Sequence, residues 1–267
     1  MNIIIDKILN DYLQSLITDT VEFGSRMKGA TEVTSDSDLL HIIREPRILN
    51  CNTMFTNHQL QFKEFGDLGY TDHIYCTTKQ FVSNLINAES AIPYEVLSYD
   101  KLTNTSLFWL NAYKNEFKNF QTARCFLGLG RRDMHEAAKL FKNDYRNCNK
   151  KLKFTIEGLG YVCDILKYHG LIQSGDELTN ILTTFSPQSS YTEFESIVHK
   201  INYFIEHFRK LLQQALEQNK IPRSISPELY ELCSNMIYHS ARVLHVNEFD
   251  SILNSLYYNA NINNVYK

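Results

Sequence analysis

No stretch of this sequence approaches the ~18 consecutive apolar residues that a membrane-spanning helix needs, so no such helix is expected. The opening Met1-Asn2-Ile3-Ile4-Ile5-Asp6 lacks a basic region ahead of a long apolar run, and no secretory leader is read there. None of the six cysteines forms a Cys-x-x-Cys pair, which argues against a structural zinc site. Cysteines scattered in this way point to reduced thiols and a cytoplasmic setting. Cationic excess is also missing: 27 Lys and Arg face 30 Asp and Glu, for a net charge of −3. Any contact with nucleic acid must therefore come from a local basic patch. There is no Walker A loop and no dinucleotide fingerprint, Gly128-Leu129-Gly130 being too short a match to count. No internal repeat is present.

What the chain does have is an ordinary globular composition, 43% hydrophobic and 21% charged over 267 residues. That length suits one large or two small domains and buries a sizeable core. Ile5, Ile8, Leu9, Tyr12, Leu13 and Leu16 recur at helical spacing and predict a first amphipathic helix. Strands are predicted over Thr20 to Phe23, Asp38 to Ile43, around Leu60 to Phe65, and Tyr70 to Cys76. The nearly continuous apolar run Leu39, Leu40, Ile42, Ile43 suits a strand covered on both faces. Thr78 is a candidate cap for a helix through Asn87. From about residue 105 the period is helical throughout. Helices are predicted from Phe108 to Phe120, from Thr122 to Phe141, around Leu159 to Leu166, from Phe194 to Gln218 and from Pro227 onward. The expected fold class is α+β: residues 1–104 a small mixed sheet with flanking helices, residues 105–267 a helical domain.

The chemistry gathers near the start. Gly24-Ser25 follows a predicted strand, and backbone N–H groups at a helix start hold phosphate oxygens. Ten residues later comes Ser35-Asp36-Ser37-Asp38, leading into the apolar strand. Side chains two apart on a strand share a face, so Asp36 and Asp38 would project side by side. Two carboxylates so close repel unless a cation lies between them, and an oxygen donor set suits Mg2+ or Mn2+. Asp72, in a strand-like setting, is the preferred third carboxylate, with Glu64 and Asp67 as competitors in less regular contexts. Arg26 beside the phosphate cradle is a candidate charge clamp. His73, the neighbour of Asp72, belongs on the opposite side of its strand and is read as structural.

Gly24-Ser25-Arg26-x-x-Gly29 with Ser35-Asp36-Ser37-Asp38 resembles the signature of the DNA polymerase beta superfamily of nucleotidyltransferases. The closest form is the branch predicted to work in bacterial and phage RNA repair. Asp72-His73-Ile74-Tyr75, Lys79-Gln80-Phe81 and Glu95-Val96-Leu97 follow that branch's order of third aspartate, helix and acidic residue. The resemblance implies transfer of a nucleoside monophosphate from an NTP to a hydroxyl acceptor such as RNA or tRNA, with release of pyrophosphate. It also implies two Mg2+ (or Mn2+) ions on Asp36, Asp38 and Asp72, and β and γ phosphates held by Gly24, Ser25 and Arg26. Where the branch has a Lys…His…Arg run, this chain has Lys153, Glu157 and Gly160.

Arg124 and Lys139, on predicted helices, are further candidates for the nucleotide. The segment from Arg131 to Lys153 holds eight basic and three acidic residues, an excess of five positive charges. It is a candidate surface for a triphosphate or a polynucleotide backbone, or simply a solvated helix face. Two other functions remain open at this level. One is a nucleotidyltransferase that modifies a protein or small molecule as a toxin or counter-defence factor. The other is a degenerate module that binds nucleotide or RNA without turnover.

Overall fold

The computed structural model describes residues 13–24, 37–44, 60–66, 69–173 and 191–240. Four strands form one sheet: β1 (Ile17–Phe23), β2 (Ser37–Ile43), β3 (Leu60–Gly66) and β4 (Gly69–Thr77). Their order across the sheet is β1-β2-β4-β3. β1 runs antiparallel to β2, β2 parallel to β4, and β3 antiparallel to β4, so the sheet is mixed. Two helices follow, α1 (Thr78–Asn87) and α2 (Ala91–Ser98), then a ten-residue 3-10 helix, Phe108–Phe117. The remainder is α-helical: α3 (Phe120–Leu140), α4 (Tyr145–Tyr168), α5 (Tyr191–Glu217) and α6 (Pro227–Ser240). The class is α+β, with the sheet first and helices after it. Most of the first predicted helix lies outside the described residues.

The strand sequences explain the order of the sheet. Edge strand β1 alternates, with Val21 and Phe23 buried and Thr18, Thr20 and Glu22 exposed. Period-2 alternation of this kind marks a strand with one wet face. In central strand β2, Leu40, Ile42 and Ile43 are fully buried and His41 nearly so, on both sides of the pleat. Tyr75 and Cys76 do the same in β4. Asp19 ties β1 to the segment ahead of the 3-10 helix, its carboxylate accepting from the Ser106 N–H (3.0 Å) and hydroxyl (2.6 Å).

α1 starts one residue earlier than Thr78 suggests. Thr77 Oγ1 accepts from the Gln80 N–H (3.1 Å), and Gln80 Oε1 accepts from the Thr77 N–H (3.0 Å). That reciprocal pair is a capping box and satisfies two donors that the helix start leaves open.

The chain divides into two compact units. The first holds the sheet, the first turns of α1, residues 95–112 and, of the described residues near the C-terminus, the part of α6 from Tyr230 on. The second is built chiefly on α3, α4 and α5. Within it, Cys148, Leu152, Ile156, Leu159, Val162, Cys163 and Leu166 form one buried stripe along α4. Close approach of α3 and α4 uses small groups: the Thr155 hydroxyl lies within hydrogen-bond distance of the Gly130 carbonyl (3.2 Å) and the Lys151 carbonyl (3.0 Å). Phe126 stacks on Tyr161 at 4.7 Å between centroids, and Tyr94 meets both rings edge-on. Burial, more than the charge of Asp164, raises the Tyr94 phenol well above its ordinary range. Burial likewise pushes the thiols of Cys125, Cys148 and Cys163 up to about 11, which leaves them unreactive at neutral pH.

Candidate active site

Asp38 is the second residue of β2, and Asp72 lies in the first half of β4. The parallel pairing of these strands puts Asp38 directly against Asp72. Directly paired residues project on the same side of a sheet, and adjacent strands lie about 4.8 Å apart. The two carboxylates are thus neighbours, on the face that also carries Leu40, Ile42, Ile74 and Cys76. Both aspartates are half-buried, while Leu40 and Ile42 beyond them are closed off from solvent. Along β2 and β4 this leaves a carboxylate pair at the open end of an otherwise apolar face, with Lys63 of β3 in register with Asp72. Glu64, the competing acid on β3, pairs with Thr71 instead.

Gly24 completes the arrangement from β1. It directly follows Phe23, the residue paired with Asp38. Its φ is +75°, a conformation that residues with a Cβ rarely adopt. A Cβ at this position would also overlap the Asp38 carboxylate. Glycine is required twice over: by the backbone angle, and by the carboxylate that fills the space of its missing side chain. Ser25, Arg26 and Asp36 lie outside the described residues.

The opposite face of the same strands carries a different polar chain. His41 Nδ1 lies 2.9 Å from Thr20 Oγ1, and His41 Nε2 lies 2.8 Å from His73 Nδ1. The two imidazoles are nearly parallel, and Tyr75 stacks on His41. Burial, aided by His73, lowers the His41 pKa to about 4, so the ring is neutral near pH 7. His73 therefore faces away from Asp72. Sequence reading missed the link to His41, because only the parallel register brings the two rings together.

Arg124 and Lys139 both lie on α3 and both are exposed. Fifteen residues of helix separate them by roughly 22 Å along the axis, so they serve different stretches of surface. The basic segment from Arg131 to Lys153 is partly neutralised from within. Asp133 takes Arg132 at 3.2 Å and Lys151 at 3.3 Å, and Lys151 also reaches Glu136 at 2.6 Å. Lys153 lies 4.0 Å from Glu157, one turn further on.

An all-oxygen pair such as Asp38 and Asp72 suits a hard divalent cation and not a soft one. Among the described residues no group of three or more His, Cys, Asp or Glu is arranged to hold a metal. Asp36, the third carboxylate of the expected set, lies outside them. Among the described residues no helix is long and apolar enough to cross a membrane.

No protein-family model matches this chain, and no curated protein matches it. Among solved structures it is similar to a nucleotidyltransferase-like protein from Exiguobacterium sibiricum 255-15. That match has 12% identity and a TM-score of 0.28, covering 79% of this chain and 73% of the other. A likeness of that degree bears no weight for function.

Proposed function

We propose that the protein is a metal-dependent nucleotidyltransferase that moves a nucleoside monophosphate from an NTP to a hydroxyl, releasing pyrophosphate. The observation that carries this reading is the register pairing of Asp38 with Asp72, closed on one side by Gly24. The Gly-Ser and Asp-x-Asp spacing supports it independently.

In this reading Asp36, Asp38 and Asp72 hold two Mg2+ or Mn2+ ions. When bound, the metal supplies charge neutralisation at the triphosphate and lowers the pKa of the attacking hydroxyl. Asp72, beside Asp38, orients the acceptor hydroxyl and takes up its proton as the new phosphodiester bond forms. The α–β phosphoanhydride bond breaks in line, and pyrophosphate leaves with the electron pair. Ser25 and the backbone N–H groups after Gly24 hold the β and γ phosphates, with Arg26 as the countercharge. Positioning and charge stabilisation account for catalysis of this kind, because phosphoryl-type transfer asks little covalent chemistry of the protein.

RNA or tRNA is the acceptor this reading favours; a protein or small molecule would use the same three aspartates. The test supplies each α-labelled NTP with Mg2+ or Mn2+ to the full chain, together with RNA and protein pools. Label is expected in the RNA fraction. Label in protein would move the assignment to the protein-modifying class, and pyrophosphate release from no NTP would reject transferase activity.

A further inference from the structure

The helical unit carries a groove that the proposed reaction does not use. It lies between α3 and α5 and encloses about 400 Å³, within the range of small-ligand sites. Its rim carries Arg124 and Arg131 from α3 and Arg209 from α5; its apolar lining includes Leu127, Ile205 and Leu212. Arg124, Gly128 and Arg131 recur at helical spacing on one face of α3, which puts the two guanidinium-bearing positions about 10 Å apart along the axis.

Three features set this groove apart from an ordinary helix–helix seam. First, its charge is net positive: three arginines stand against one carboxylate, Glu206, which also lines the groove. Among the described residues neither Arg124 nor Arg131 makes an ion pair. Among the described residues the one carboxylate paired with Arg209 is Glu206, on its own helix at 3.8 Å, and both side chains are well exposed. An exposed pair of that length is weak. Secondly, Ile205 and Leu212 are almost wholly buried, so the floor between the arginines is apolar. Thirdly, Gly128 opens the middle of the groove. A Cβ there would meet nothing within 4 Å, so packing does not call for glycine. Glycine inside a helix costs about 1 kcal/mol relative to alanine, and here that cost leaves space.

An apolar floor between guanidinium groups is complementary to a flat apolar ring that carries phosphate. We propose that this groove binds a nucleotide unit, with phosphate on Arg124, Arg131 and Arg209 and the base over the apolar floor. Guanidinium forks match phosphate oxygens bidentately, and base faces settle on apolar and guanidinium surfaces alike. A free nucleotide and one unit of a nucleic-acid strand present the same chemistry. The site belongs to the helical unit alone and does not depend on the chemistry assigned to Asp38 and Asp72.

The test is fluorescence anisotropy of the full chain with a fluorescein-labelled single-stranded RNA, in EDTA so that no metal contributes. ATP serves as competitor and is also titrated directly by calorimetry. The wild-type chain should bind the RNA or ATP. The double variant Arg124→Gln, Arg131→Gln should weaken binding at least tenfold and, for RNA, flatten the logarithmic salt slope by about 1.4. Gly128→Met, which fills the groove while favouring helix, should weaken binding as well and keep the wild-type circular dichroism. Displacement of RNA by ATP would identify a free-nucleotide site; RNA binding that ATP does not displace would identify a strand site. Asp38→Asn should leave binding in EDTA unchanged. Absence of binding to both probes would overturn the inference. So would wild-type affinity in both groove variants, or loss of binding confined to Asp38→Asn.

Discussion

Gly24 is the residue on which the candidate site is most sharply constrained. Alanine there must accept a positive φ, at a cost of about 1–2 kcal/mol, and must displace the Asp38 carboxylate. Gly24→Ala is therefore expected to lower the melting temperature modestly and to lower nucleotide transfer by more than tenfold. The check is turnover at a temperature where circular dichroism shows the variant folded. Wild-type turnover would mean that the Asp38 carboxylate can move without consequence. Gly24 and Asp38 are legible in the sequence as types at a spacing, since a Gly-Ser turn and an Asp-x-Asp pair are chemically conspicuous. Their overlap in space is not legible, because it depends on which residue of β1 ends opposite Asp38. Asp72 is similar: a strand-borne aspartate can be read directly, but its pairing with Asp38 is a matter of register.

At the scale of elements, the β2–β4 pair carries polar groups on both faces, and the second face makes its own prediction. In the folded chain His41 titrates at about 4, against 6.5 in an unfolded one. As pH falls from 6.5 toward 4, the unfolded state takes the proton first, so stability falls with it. Below about 4 both states are protonated and the loss stops growing. The full shift corresponds to at most about 3 kcal/mol. His41→Gln removes this group and should make the melting temperature fall less steeply than in wild type between pH 6.5 and 4. Identical slopes in thermal melts across that window would contradict a buried neutral His41. The helices were the most legible elements. The helix predicted from Phe194 to Gln218 stands as α5 and the one predicted from Pro227 as α6, where the Ser226 hydroxyl accepts from the Leu229 N–H at 3.2 Å. Less legible was the start of α4, where the lysines at 150, 151 and 153 hide an apolar stripe that already includes Cys148 and Leu152. The segment Phe108–Phe117 has helical spacing but forms a 3-10 helix, a difference of hydrogen-bond partner that apolar period does not encode.

For the whole molecule, charge is informative only once folded. The excess of five positive charges between Arg131 and Lys153 reads in sequence as one basic surface. In the fold, Lys151 reaches across from α4 to Asp133 and Glu136 on α3, while Arg132 pairs with its neighbour Asp133, so one charge of that surface ties α3 to α4. Arg124 and Arg131, which make no ion pair among the described residues, line another groove together with Arg209, on a helix some eighty residues further along the chain. Helix spacing reveals the first two as neighbours; only packing adds the third. The central claim concerns the sheet unit, and pyrophosphate release tests it most directly. Wild-type chain should release pyrophosphate from an NTP only when Mg2+ or Mn2+ is present. Asp38→Asn and Asp72→Asn should each lower that rate by more than about 100-fold while remaining folded, since loss of even an outer partner of a metal ligand costs 10–100-fold. Release that persists in EDTA, or that is unchanged in folded Asp38→Asn and Asp72→Asn proteins, would contradict a metal-dependent transferase built on this aspartate pair.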